Sequence, residues 1–131
     1  MKTIKGPAVF LAQFVDKSEP FNSLDGMCKW ASELGYKGIQ IPTWESSLID
    51  LDKASNSQDY CDELIGKVRS YGLEITELST HLQGQLVAVH PAYDLMFDNF
   101  APDNLKKNPK ERTKWAVETC LLYTSPSPRD P

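Results

Sequence analysis

Polar residues follow three apolar runs in this chain, and they are the groups whose types could do chemistry. Gln13 and Phe14 close the first run, Thr43-Trp44-Glu45 follow the second, and Ser79-Thr80-His81-Leu82-Gln83 follow the third. His81 is the leading catalytic candidate, because an imidazole exchanges protons near neutral pH. Glu45 could bind a hydroxyl or act as an acid or base. Trp44 could stack on the face of a sugar ring. Gln83 and Gln85 could hold hydroxyls, and His90 could join them as a substrate ligand. No metal set is complete: His81 and His90 lie nine apart in an irregular stretch, not four apart on a helix. No pair of carboxylates has nucleophile-and-base spacing, and no Ser/His/Asp set is evident.

These groups need elements to position them. Ala8–Phe14 and Lys37–Pro42 read as short apolar strands of the kind buried on both faces of a parallel sheet. Leu73–Leu78 alternates as a third strand, with its end near Ser79. Leu24, Met27, Cys28, Ala31 and Leu34 share one helical face, predicting a helix over 23–34 capped by Asn22 or Ser23. Tyr60, Leu64, Ile65, Val68 and Tyr71 predict a second over 57–71. Ser46 to Asn56 reads as a polar loop. The helix end, glycine and strand recur at Gly35 and Gly72, 37 residues apart, where glycine suits a left-handed helix stop.

One strand–helix unit per repeat is the period of a (β/α)8 barrel of ~250 residues. A doubly wound sheet repeats similarly, but the glycine fingerprint of dinucleotide folds is absent after strand one. The expected fold is therefore α/β, a partial TIM barrel of about its first three units. Val9, Leu11, Ile39, Ile41 and Ile75 are expected on its inner face, partly wet for want of the remaining strands. Leu82–Lys107 is a long connection with a short helical turn near Pro91–Phe97, of the length that serves binding or covers a site. Asn108 and Pro109 open a third helix.

Composition is ordinary for a globular protein, 40% hydrophobic and 24% charged, with a net charge of −4. That balance carries no electrostatic footprint for nucleic acid. Lys106, Lys107, Lys110, Arg112 and Lys114 do cluster, and read as a solvated helix face. Ala8–Phe14, only seven residues and interrupted by Gln13, is too short for a signal-peptide core. No run reaches the ~18–20 apolar residues of a membrane span. Cys28 and Cys61 have neither metal-ligand nor disulfide spacing and read as buried thiols, consistent with a cytoplasmic location.

Gly35-Tyr-Lys-Gly-Ile-Gln-Ile-Pro-Thr-Trp44, Gly72-Leu-Glu-Ile-Thr-Glu-Leu-Ser-Thr-His-Leu-Gln-Gly-Gln85 and Val89-His-Pro-Ala-Tyr93 together resemble the N-terminal third of the sugar phosphate isomerase/epimerase family. That family belongs to the xylose-isomerase-like TIM-barrel superfamily, with endonuclease IV as a distant relative. The resemblance covers Lys5 to Thr119. It implies proton transfer beside a carbonyl or a hydride shift on a sugar or sugar phosphate, assisted by a divalent ion (Mn, Mg or Zn). In that superfamily two glutamates, an aspartate and a histidine on later strands hold the metal, so its ligands are not expected in this chain. His81 matches a strand-three histidine that faces substrate or, in the nuclease branch, metal. Gln40 departs from the glutamate many members carry on strand two. The alternatives implied are an endonuclease IV-like nuclease, needing a multi-zinc site and a basic face, and a non-catalytic sugar-binding relative.

Cys120-Leu-Leu-Tyr-Thr-Ser-Pro-Ser-Pro-Arg-Asp130 resembles an in-frame translation of the adapter left by transposase-based sequencing libraries. Residues 1–119 are accordingly expected to be the N-terminal part of a barrel domain and 120–131 a non-native tail, ended as a helix by Pro126 and Pro128. On this view the chain alone gives no isomerase turnover with or without added metal. Resequencing the source locus from unamplified DNA should replace the tail with a helix-compatible sequence; recovery of the same Ser-Pro-Ser-Pro codons refutes the adapter reading.

Overall fold

The computed structural model describes residues 5–124, and the chain divides into two compact units, Met1–Ser79 and Thr80–Pro131. The first unit is α/β. Its strands β1 (Ala8–Phe10), β2 (Gly38–Pro42) and β3 (Glu74–Ser79) form one sheet in the order β1-β2-β3. Both pairings are parallel. Between the strands run α1 (Leu24–Glu33), α2 (Leu51–Asn56) and α3 (Gln58–Ser70).

Local chemistry sets the ends of these elements. The Ser23 hydroxyl accepts from the Gly26 N–H at 3.1 Å and starts α1. Ser57 does the same for the Tyr60 N–H at 3.2 Å and starts α3. Both helices stop alike. Gly35 and Gly72 adopt φ of 87° and 75°. Each glycine N–H, and the N–H after it, returns to carbonyls of the last turn: Gly35 to Ser32, Tyr36 to Ala31, Gly72 to Arg69 and Leu73 to Val68. This left-handed stop satisfies carbonyls a helix end would otherwise orphan, and it aims the chain into the next strand.

The core joins the sheet to α1 and α3. Val9, Leu11, Ile39 and Ile41 are buried in one cluster with Met27, Cys28, Ala31, Val68 and Leu73, and Ile75 packs against it. The expected inner-face position of Val9, Leu11, Ile39, Ile41 and Ile75 is therefore corrected. These side chains share a core with the helices, and only Ile75 is half-buried. The two helices are neighbours: the Ser32 hydroxyl donates to the Tyr71 carbonyl at 2.7 Å, and Lys67 pairs with Asp25 at 2.8 Å.

Three further expectations change. β1 ends at Phe10, because Leu11–Gln13 turns as a 3-10 helix that drops Leu11 into the core. The loop 46–56 contains α2, capped by the Asp50 carboxylate on the Lys53 N–H at 3.0 Å, and is anchored by buried Leu48 and Ile49. Leu34 is the exposed C-cap of α1, not part of its apolar face. Cys28 is buried, and desolvation pushes its thiol up to about 12. Cys61 is only half-buried, with its sulfur 3.1 Å from the Ala54 carbonyl.

In the second unit, α4 (His81–Gly84) and α5 (Asp94–Phe97) are single turns, and α6 (Pro109–Thr124) is the long helix. Arg112 organises it from the first turns of α6. Its side chain is buried and donates to the Asp98 carboxylate at 2.5 Å, the Asp94 carboxylate at 2.5 Å and the Asp94 carbonyl at 2.9 Å. The second oxygen of Asp98 accepts from the Lys107 N–H at 2.9 Å, where Lys107 takes the left-handed φ of 62°. Arg112 therefore leaves the expected solvated basic face, because its charge is matched inside. Lys106 pairs with Asp103 at 2.6 Å. α6 continues through Cys120 to Thr124; the expected stop at Pro126 and Pro128 lies outside the described residues.

The Lys107 N–H and the Arg112 guanidinium hold the Asp98 carboxyl below its usual range, against the opposing cost of burial. A carboxyl depressed in the folded state stabilises fully above its unfolded pKa and loses that contribution as pH falls through the folded value. Thermal melts should therefore show acid destabilisation of the wild type that Asp98→Asn reduces. Arg112→Met, which leaves two carboxylates without their cation, should cost about 3 kcal/mol at neutral pH, measured by denaturant titration.

Candidate functional site

The C-terminal ends of the parallel strands carry the expected polar residues of the first unit. Thr43 fastens two of these ends together. Its N–H and its hydroxyl both donate to the Ser79 carbonyl, at 3.1 and 2.6 Å. The residue is buried, so that carbonyl is satisfied by side chain and backbone together. Trp44 then emerges half-buried, edge-on to Phe10 with ring centroids 6.3 Å apart at 85°. Glu45 turns the chain: its carbonyl accepts from Leu48 and Ile49, and its carboxylate accepts from the Ser47 hydroxyl at 3.0 Å. Trp44 is thus brought to Phe10, while Glu45 closes a local turn.

His81, Gln83 and His90 belong to the second unit. His81 is exposed and opens α4, two residues beyond β3. Its Nε2 lies 3.2 Å from the Gln85 side-chain nitrogen, a hydrogen bond when that ring nitrogen is unprotonated and accepts. Gln83 is buried, and its Oε1 has no hydrogen-bond partner among the described residues. His90 caps the Pro91–Tyr93 turn, its Nδ1 accepting from the Ala92 N–H at 3.2 Å and its ring 6.1 Å from that of Tyr93. His81 is therefore brought to Gln85, and His90 to the start of its own turn.

The sheet adds a group that pattern reading missed. Val9, Ile39 and Ile75 stand in register across the three strands and point into the core. The next row, on the opposite face, begins with Phe10 beside Gln40. Alternation along β3 would put Thr76 third in that row and return Glu77 to the side of Ile75. Instead the register shifts, and Gln40 pairs with Glu77. Thr76 is the extra residue of a β-bulge, held by its hydroxyl donating to the Ile39 carbonyl at 3.1 Å. Its methyl covers Gly38, where an added Cβ would sit 2.4 Å from it. The bulge thus sets Glu77 beside Gln40, as bulges near functional sites re-aim side chains. In the run Glu74-Ile-Thr-Glu-Leu78 the polar pair Thr76-Glu77 breaks the alternation, and with glycine at position 38 it was the local hint.

Among the described residues no three His, Cys, Asp or Glu side chains come together to hold a metal ion, and no helix is long and apolar enough to cross a membrane. Comparisons with protein-family models and with curated proteins find no match to the chain.

The fit of Thr76 over Gly38 generates a direct test. Gly38→Ala forces a methyl onto the Thr76 methyl and, at 3.3 Å, onto Ala8. It should destabilise the protein by about 1–3 kcal/mol, the usual range for overpacking. Gly38→Ala combined with Thr76→Ser should recover part of that loss in denaturant titrations.

Proposed function

We propose that this chain supplies the first three strand–helix units of a (β/α)8 barrel of the sugar phosphate isomerase/epimerase kind, with a sugar or sugar phosphate bound at its strand ends. The observation that carries the reading is the consecutive parallel order β1-β2-β3, with α1 and α3 as its crossovers and polar residues after each strand. The barrel places chemistry at that end of the strands. The segments around Gly35–Trp44, Gly72–Gln85 and Val89–Tyr93 supply the family resemblance.

In this reading Trp44 offers an aromatic surface to the apolar side of the sugar. Glu45, beside it in the first unit, accepts from a hydroxyl. For the second unit, the resemblance gives His81 the role of proton exchanger beside the carbonyl and Gln83 that of a hydroxyl ligand. The family resemblance implies a divalent ion, which would act as a Lewis acid on the substrate oxygens. The described residues do not assemble a ligand set for it. His90 is a weaker substrate ligand, since its Nδ1 is engaged in the cap. The nuclease reading needs a phosphate-tracking basic face, and burial of Arg112 against Asp94 and Asp98 takes one cation from it.

The test is ligand titration of the full chain with D-fructose, D-fructose 6-phosphate and a DNA duplex carrying an abasic site, followed by thermal shift and fluorescence. A sugar probe should raise the melting temperature and change tryptophan emission. His81→Asn should weaken that binding by about tenfold, the worth of one lost hydrogen bond of ~1.4 kcal/mol. Binding of the abasic duplex alone, with neither sugar bound, overturns the proposal in favour of the nuclease.

A further inference from the structure

We infer that Glu77 is a specificity-determining carboxylate that, together with Gln40, grips adjacent hydroxyls of a polyol on the sheet face opposite α1 and α3. The inference rests on the sugar-binding reading above and adds a residue and a ligand geometry to it. Its basis is the bulge. Without Thr76 as an extra residue, Glu77 would share the face of Ile75; with it, Glu77 is the register partner of Gln40.

The row so formed is chemically mixed. Phe10 lies in register with Gln40 and touches Trp44 edge-on, making an aromatic corner. Gln40 is half-buried, Glu77 is exposed, and neither side chain has a hydrogen-bond or ion-pair partner among the described residues. Parallel sheets ordinarily have both faces covered by apolar groups. A carboxamide on the central strand and a carboxylate beside it on β3 are costly to cover with anything that cannot hydrogen-bond. They stand about 4.8 Å apart, one strand spacing. Two groups at that distance converge on neighbouring hydroxyls. The carboxylate accepts from two O–H groups, and the carboxamide both donates and accepts. The aromatic corner takes the C–H side of the same molecule. The ligand class is therefore a neutral molecule with vicinal hydroxyls.

The experiment titrates the full chain with D-ribose and with 2-deoxy-D-ribose, which lacks one of the adjacent hydroxyls, and follows backbone amides by NMR. D-ribose should shift the amides of Phe10, Gln40, Trp44 and Glu77, and 2-deoxy-D-ribose should bind several-fold more weakly. Glu77→Gln should weaken D-ribose by about tenfold and Glu77→Ala by more, with the amides of Ile39 and Ile41 unmoved as proof of an intact core. Glu118→Ala, exposed on α6, should change nothing. If D-ribose shifts residues elsewhere and binds the Glu77 variants as tightly as the wild type, this inference fails and sugar binding stands. If neither D-ribose nor the two fructose probes binds, both fail together.

Discussion

The first unit depends on the burial of one row of side chains between a parallel sheet and two helices. Ile39 and Ile41 of the central strand are fully buried. They lie in a common cluster with Met27, Cys28 and Ala31 of α1 and Val68 of α3. Burying side chains of this size is the largest favourable contribution such a unit has, roughly 1.5–3 kcal/mol each. Everything else about the unit follows from keeping that layer closed. The helices must stop abruptly at Gly35 and Gly72 so that the chain can return to the sheet. The polar residues at the strand ends are then held at one edge because the strands beneath them cannot slide.

That constraint leaves the opposite face of the sheet free to vary. One row contains Phe10, Gln40 and Glu77, and it exists in that form because β3 carries one residue more than β2 at this point. The extra residue is accommodated by Gly38, the only residue type with room for the Thr76 methyl. Core packing and polar display are thereby separated: the apolar register Val9–Ile39–Ile75 is intact on one side, and the bulge changes only what the other side presents.

The second unit is ordered differently. The segment of α5 buries little, with Tyr93, Leu95 and Met96 exposed. Arg112, Asp94 and Asp98 tie the connection to the long helix by charge and hydrogen bonds. A buried cation needs such partners, since its desolvation would otherwise be prohibitive. The two aspartates are four apart on consecutive turns, so both can reach one guanidinium.

Much of the first unit was legible in the residues themselves. Helix spans to within a residue or two, a cap at Asn22 or Ser23 and the glycine stops all follow from local chemistry. Each depends on a few neighbouring residues: a side-chain oxygen for an orphan N–H, or a glycine for a left-handed turn. The positions of Trp44 and Glu45 after β2, and of His81 just beyond β3, follow from the same reading. What local pattern could not decide was which neighbour each residue meets. Arg112 looked like one of several surface cations until Asp94 and Asp98, 18 and 14 residues away, proved to enclose it. Strict alternation would leave Glu77 on the face of Ile75, and the register with β2 moves it to the other. The sequence determined the elements, because capping and periodicity are local. The tertiary structure alone decided the partners of Arg112 and the face of Glu77, because charge pairing and strand register are settled between segments distant along the chain.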